Sequence, residues 1–231
     1  MSLGKQMTSA ILFDIDGTLL YAKGLGRPAF AEAFQEAYGI TADFSDISFV
    51  GATDTAIIRD LAAQFGVAST PDREEHFFIA LTERLDPRLR ADNAIHVYPG
   101  VTGFLNALTS SGKILGVVTG NIRTTAWSKL IHAKLAPHFS FGCYACDHAN
   151  RDELARIACE RARQRGAVAR LLIGDTPNDI QAAHAAGLPC LAVATGWISV
   201  AALREAGADA VVEDFTNLET LMPLIERYCH D

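Results

Sequence analysis

Ala10-Ile11-Leu12-Phe13-Asp14-Ile15-Asp16-Gly17-Thr18 decides how this chain reads. Four apolar residues in a row describe a strand buried on both faces. The run ends in two carboxylates one residue apart, followed by a glycine. Strand ends in α/β sheets open into the crevice where ligands bind. Two like charges this close are costly unless a cation, a shared proton or a phosphate-binding task justifies them. Taken alone, Asp16-Gly17 is also an ordinary turn pair, so the rest of the chain must decide.

Outward from that stretch, apolar strand-like runs recur at 114–119, 141–145, 171–175, 190–194 and 210–212. Helical patterns lie between them at 101–110, 124–135, 152–165, 177–186 and 200–206, with a closing helix at 216–228. Strands alternating with helices in this way predict a parallel, doubly wound, Rossmann-like α/β sheet. Residues 20–97 break the rhythm. They show helical stretches at 27–38, 53–65 and 71–85 and no convincing strand pair. Phe30, Ala33, Phe34 and Ala37 form an i, i+3, i+4, i+7 stripe. Thr53, and Thr70 before Pro71, suit helix starts, and Tyr98-Pro99-Gly100 signals a turn. The expectation is an α/β core built from residues 7–19 and 98–231, with a helical cap, residues 20–97, inserted after the first strand. An insert there can act as a lid that excludes water.

Composition narrows the partners. The chain has 231 residues, 49% of them hydrophobic, enough for a substantial core, and a net charge of −7. With no Lys/Arg-rich block, nothing attracts nucleic acid. No apolar run approaches a membrane span, and Met1 to Gln6 lack a signal-peptide core; a cytoplasmic protein is expected. Five cysteines are too few for a disulfide scaffold. Cys143-x-x-Cys146 follows alternating aromatics, so buried, reduced thiols are expected there rather than a metal or redox site. The oligomeric state is open.

Three further signals fall where strands should end. Thr119-Gly120-Asn121 offers a hydroxyl and unhindered backbone N–H groups, suited to a phosphate oxygen or simply to a strand-to-helix turn. Asp175-Thr176-Pro177-Asn178-Asp179 again puts two carboxylates at a strand exit. Asp175 has the hard oxygen that Mg²⁺ prefers, and Asp179 suits a first helical turn. Arg151 opens a helix, where the dipole disfavours a cation, and so invites an anionic partner; the alternative is a solvated surface arginine. Phosphoryl transfer needs a nucleophile, a proton donor, a Mg²⁺ ion and donors for the equatorial oxygens, and these residues supply one of each.

The order Asp-x-Asp-Gly-Thr, Thr-Gly-Asn, a cation, then Gly-Asp-x-x-x-Asp resembles the haloacid dehalogenase-like hydrolase superfamily. The likeness is to its phosphatase type with a helical cap between the first two motifs, as in phosphoglycolate phosphatases and β-phosphoglucomutases. That resemblance implies that Asp14 is the nucleophile and that Asp16 protonates the leaving alcohol and then activates water. It implies that Asp14, Asp175 and the main-chain carbonyl of Asp16 bind Mg²⁺, with Asp179 holding the metal shell. Thr119 and Arg151 would bind the transferring phosphoryl, with Gly17, Thr18, Gly120 and Asn121 around it. The third motif is more often lysine than arginine, but Lys129 and Lys134 lie too early in the chain to be preferred. Gly51-Ala52-Thr53-Asp54 resembles the loop that such caps lower onto the core, with Thr53 near substrate. Arg27 and Arg59 could meet a substrate carboxylate or second phosphate. Asp16 favours phosphate chemistry over dehalogenation. A phosphonatase would need a cap lysine forming a Schiff base, and Lys23 stands in a glycine-rich entry instead. The leading expectation is a Mg²⁺-dependent phosphatase acting on a small-molecule phosphate ester. The alternatives are a phosphomutase of the β-phosphoglucomutase type and a non-catalytic phosphate-binding or signalling protein.

Overall fold

The computed structural model describes residues 8–45 and 47–229; Met7, the first expected core residue, lies outside them. Strand β1 (Thr8–Phe13) carries the opening motif. A two-residue strand, β2 (Leu20–Tyr21), leads to helices α1 (Gly26–Tyr38), α2 (Asp54–Gln64) and α3 (Pro71–Leu89) and returns through β3 (His96–Val97). Then come α4 (Val101–Ser110), β4 (Ile114–Val118), α5 (Arg123–His132), β5 (Phe139–Cys143), α6 (Arg151–Arg163), β6 (Ala167–Gly174) and α7 (Pro177–Ala185). The chain continues through β7 (Cys190–Val193), α8 (Val200–Glu205), β8 (Ala210–Val212) and α9 (Leu218–Cys229).

Six strands form one sheet in the order β5-β4-β1-β6-β7-β8, every pairing parallel. The side chains of β1 alternate between its two faces. Ile11 and Phe13 join Phe104 of α4, Leu130 of α5 and Ile225 of α9 on one side. Ala10 and Leu12 join Leu154 of α6 and Ile180 of α7 on the other. Both faces are covered, which is why the strands read as continuous apolar runs rather than as alternation. The strand order reverses at β1, whose neighbours β4 and β6 leave in opposite directions. That switch point is where such sheets open a ligand crevice, and Asp14 stands on it, its N–H bonded to the Ile173 carbonyl at 2.9 Å.

Helices α1, α2 and α3 share a separate apolar cluster around Phe30, Phe34, Ile58, Leu61 and Phe77, which takes in only Ile122 and Ala145 from the core loops. Contrary to the sequence reading, this segment has a strand pair: Leu20 faces Val97 and Tyr21 faces His96, antiparallel. Two residues per strand are too few for periodicity to register. Helix α3 also runs a turn beyond the expected stop, through Pro87. No helix among the described residues is long and apolar enough to cross a membrane.

Phe104 is 1% exposed, meets Phe13 edge-on with ring centroids 6.2 Å apart, and stacks on Phe215 at 5.1 Å. Truncating it opens a cavity between sheet and helices. Phe104→Ala is expected to cost about 3–5 kcal/mol in denaturant unfolding, and Phe104→Leu much less; equal losses would show that the site is not close-packed.

Candidate active site

The motif Asp14-Ile15-Asp16-Gly17 turns sharply as it leaves β1. Gly17 has φ +88°, and a Cβ there would lie 2.2 Å from Asp175 Oδ2. Glycine thus lets the loop after β1 close against the loop after β6. Thr18, fully buried, donates its hydroxyl to Asp175 Oδ1 at 3.0 Å. On α7, Thr176 and Asp179 form a reciprocal capping box, with Pro177 in the first turn. The capping expected of Asp179 is present, and its other oxygen faces inward. Carboxylate oxygens of Asp14, Asp175 and Asp179, all buried, lie within 4.8 Å of one another.

One cation serves this group. Arg151, 8% exposed, places Nη2 2.6 Å from Asp14 Oδ1 and 2.5 Å from Asp179 Oδ1, with Nε 3.1 Å from the latter. The anionic partner invited by its place at a helix start is therefore a pair of carboxylates, and the solvated-surface alternative fails. Asn150, the residue before it, caps α6 by accepting from the Asp152 and Glu153 N–H groups. A guanidinium fork reaches both acids at once. Burial would lower the Arg151 pKa, but Asp179 and Asp14 outweigh it and hold the charge firmly. Burial first, and the neighbouring carboxylates second, push Asp175 well above the usual carboxylate range. Burial raises Asp14 too, with Arg151 opposing. Three acids and one guanidinium leave the cluster short of positive charge. An all-oxygen donor set of this kind suits a hard divalent cation.

Asp16 points elsewhere. Its Oδ2 accepts from Lys129 Nζ at 2.6 Å and from Asn121 Nδ2 at 2.6 Å. Asn121 in turn accepts from Lys129 at 2.7 Å and donates to the Thr119 hydroxyl at 2.8 Å. Lys129, which the sequence order disfavours, is thus brought to the cavity, as is Arg151. Lys129 lies on the buried face of α5 with Thr125 and Ala126. A lysine in register with those small residues was the available signal.

These groups floor a cavity of about 450 Å³ between core and cap, into which Asp14, Asp16, Thr119, Gly120, Asn121, Arg151 and Asp175 all face. Gly17 and Thr18 do not line it; they hold Asp175. Thr53 does not line it either. It caps α2, and its hydroxyl donates to the Ala149 carbonyl at 2.6 Å, tying cap to core. Thr55 does the same to Ala145 at 2.8 Å, and Asn178 of α7 donates to Gly51 at 2.9 Å. Gly120 faces Ala52 so closely that a Cβ would lie 2.0 Å from its carbonyl oxygen. Arg27 lines the cavity, but Nη1 and Nη2 donate to the Phe44 and Ile47 carbonyls. Arg59 pairs with Glu74 at 2.6 Å outside it, and Lys23 is exposed. Of the Cys pair, Cys143 is buried as expected, while Cys146 is exposed.

Asp54, in the loop expected to meet the core, carries no role of its own in the sequence reading. This first residue of α2 bonds across the cap–core boundary twice: its N–H to the Gly120 carbonyl at 2.7 Å, and Oδ2 to the Ile122 N–H at 2.9 Å. Burial pushes its carboxyl up to about 7, with Ile122 and Lys129 opposing. A carboxyl whose pKa rises on burial holds its proton longer in the closed, folded form. Its stabilising contribution is therefore complete below about pH 4 and is lost as pH rises to about 7. Asp54→Asn keeps the acceptor and removes the titration. The difference in Tm, variant minus parent, is expected to climb between about pH 4 and 7 and then level; a flat difference would contradict this.

Comparison with known proteins agrees with this geometry. A phosphoglycolate phosphatase from Rhodospirillum rubrum is 27% identical over 223 residues, covering 92% of this chain and 90% of that protein. In structure the chain superimposes on a hydrolase from Pseudomonas syringae with a TM-score of 0.71 at 23% identity, over 95% of this chain and 99% of the other. It also superimposes on CbbY from Rhodobacter sphaeroides, a mutant in complex with xylulose-(1,5)bisphosphate, at TM-score 0.71 and 23% identity, over 92% and 96%; these two likenesses carry the fold. Residues 11–193, from the first strand to the end of β7, match a single family, and the chain belongs to the haloacid dehalogenase-like hydrolases.

Proposed function

We propose that the protein hydrolyses the phosphate ester of a small metabolite through an aspartyl-phosphate on Asp14, with Mg²⁺ held by the buried acids. The chain is a phosphoric monoester hydrolase, and the finer statement rests on one observation. Asp14 and Asp16, two residues apart, have opposite environments: one sits in the buried triad against Arg151, the other beside Lys129 and Asn121 facing the cavity. Such divergence assigns separate tasks to paired carboxyls.

Asp14, Asp175 and Asp179, with the main-chain carbonyl of Asp16, would hold Mg²⁺, which when bound would supply charge neutralisation for the transferring phosphoryl. An Asp14 oxygen attacks phosphorus as the ester P–O bond breaks, and the Asp16 carboxyl gives its proton to the departing oxygen. Asp16, now a carboxylate, takes a proton from water as that water attacks phosphorus. The acyl-phosphate bond breaks, the Asp14 carboxylate returns, and inorganic phosphate leaves. Arg151, the Thr119 hydroxyl and the backbone N–H groups near Asn121 meet the equatorial oxygens. Lys129 and Asn121 hold Asp16 towards the leaving group, and the cap keeps bulk water out.

The test is phosphate release from a panel of small phosphate esters. Turnover with Mg²⁺, abolished by EDTA and lowered more than about a thousandfold in Asp14→Asn, is expected. Equal release by that variant would overturn the assignment.

A further inference from the structure

Granting the phosphatase reading, the cavity also selects what the phosphate is attached to. Its floor is polar and charged, and the ester phosphate belongs there. Its cap side is different. Phe30 of α1, Phe49 of the following loop, Ile57 of α2, and Leu81 and Leu85 of α3 form the wall facing the floor. Trp197, 62% exposed and edge-on to Tyr21 at 5.4 Å, stands at the mouth.

A second anionic group on the substrate would need a cation, and the three that line the cavity among the described residues already hold other partners. Arg151 is bound to Asp14 and Asp179. Lys129 is shared between Asp16 and Asn121, with the Asp54 carboxyl also lining the space. Arg27 has two nitrogens on backbone carbonyls and its face on Phe49, 4.8 Å from the ring centre. A carboxylate or second phosphate in the leaving group would thus give up water for aromatic and aliphatic walls beside two carboxyl groups, and would compete with the Phe44 and Ile47 carbonyls for Arg27. Among the described residues, Ser48 and Tyr21 offer hydroxyls on that side and Trp197 an indole N–H, all neutral donors that suit a neutral group. The volume, about 450 Å³, is also far more than a two-carbon acid requires and lies within the range of sites that enclose ligands of drug size.

We infer that the preferred substrate is a phosphate monoester whose leaving alcohol is uncharged and largely apolar, held against the Phe30–Phe49–Leu81 wall, and that monoesters carrying a second anionic group are poor substrates.

The experiment compares kcat/KM with Mg²⁺ for benzyl phosphate and hexyl phosphate against phosphoglycolate and a sugar bisphosphate, using parent protein and Leu81→Lys. All four are esters of alcohols, which limits differences in intrinsic reactivity. The expected result is a preference of about tenfold or more for the two apolar esters, carried mainly by KM, and a shift of that ratio towards phosphoglycolate in Leu81→Lys. Should that variant not fold, Phe49→Leu serves instead, and a raised KM for benzyl phosphate with an unchanged KM for phosphoglycolate is expected. Equal or better turnover of phosphoglycolate or the bisphosphate by the parent protein overturns this inference while leaving the phosphatase reading intact. No turnover of any ester overturns that reading, and this one with it.

Discussion

Three buried acids gather around one guanidinium at the centre of this protein, two of them bonded to it, and much of what surrounds them holds that imbalance. Charges taken out of water are tolerated only when paired and hydrogen-bonded. Here the pairing is deliberately incomplete. Arg151 bridges Asp14 and Asp179, Thr18 bonds Asp175, and Thr176 bonds the second oxygen of Asp179. Each of these partners comes from a different strand end or helix start, so the acids converge only when the sheet is complete. The residual negative charge is what a divalent ion would balance under the proposed function. A fully neutralised cluster would be more stable and inert, a conflict between stability and function of the kind that collects at active sites.

The cap is tied to the same place. Residues Gly51 to Thr55, the loop before α2 and its first turn, touch the core at Gly120, Ile122, Ala145, Ala149 and Asn178, on the segments that follow β4 and β5 and at the start of α7. Helix α3 lies along α5 through Thr82 to Thr124 and Asp86 to Ser128. These contacts fall on the residues that carry Asn121 and Lys129. Under the proposed function they would link water exclusion to the orientation of Asp16, and the inferred apolar wall belongs to the same helices.

Much of the architecture was legible because buried parallel strands announce themselves as short apolar runs ending in Gly, Asp or Thr. The β1, β4 and β6 exits carried their chemistry in contiguous letters, so Asp14, Asp16, Thr119, Asp175 and Asp179 could be named in advance. What escaped was non-local. Lys129 sits on a helix eight residues after Asn121, and only the return of α5 over the sheet brings its ammonium to Asp16. Asp54 reads as an ordinary first-turn carboxylate until the cap is laid on the core. Thr53 and Arg27 have the right chemistry for substrate, but α2 capping and the Phe44 and Ile47 carbonyls engage them. The β2–β3 ribbon is too short to carry a pattern, and the exposure of Cys146 depends on a turn that the strand-like run before it does not reveal.

The most direct test of the account is to look for the covalent intermediate. Protein mixed with a turned-over ester and Mg²⁺ would be quenched in acid within the first turnovers, digested and analysed by mass spectrometry. The account predicts one added phosphoryl group on the peptide containing Asp14, absent in Asp14→Asn. A phosphoryl group on any other residue, or one that forms equally in Asp14→Asn, would contradict it.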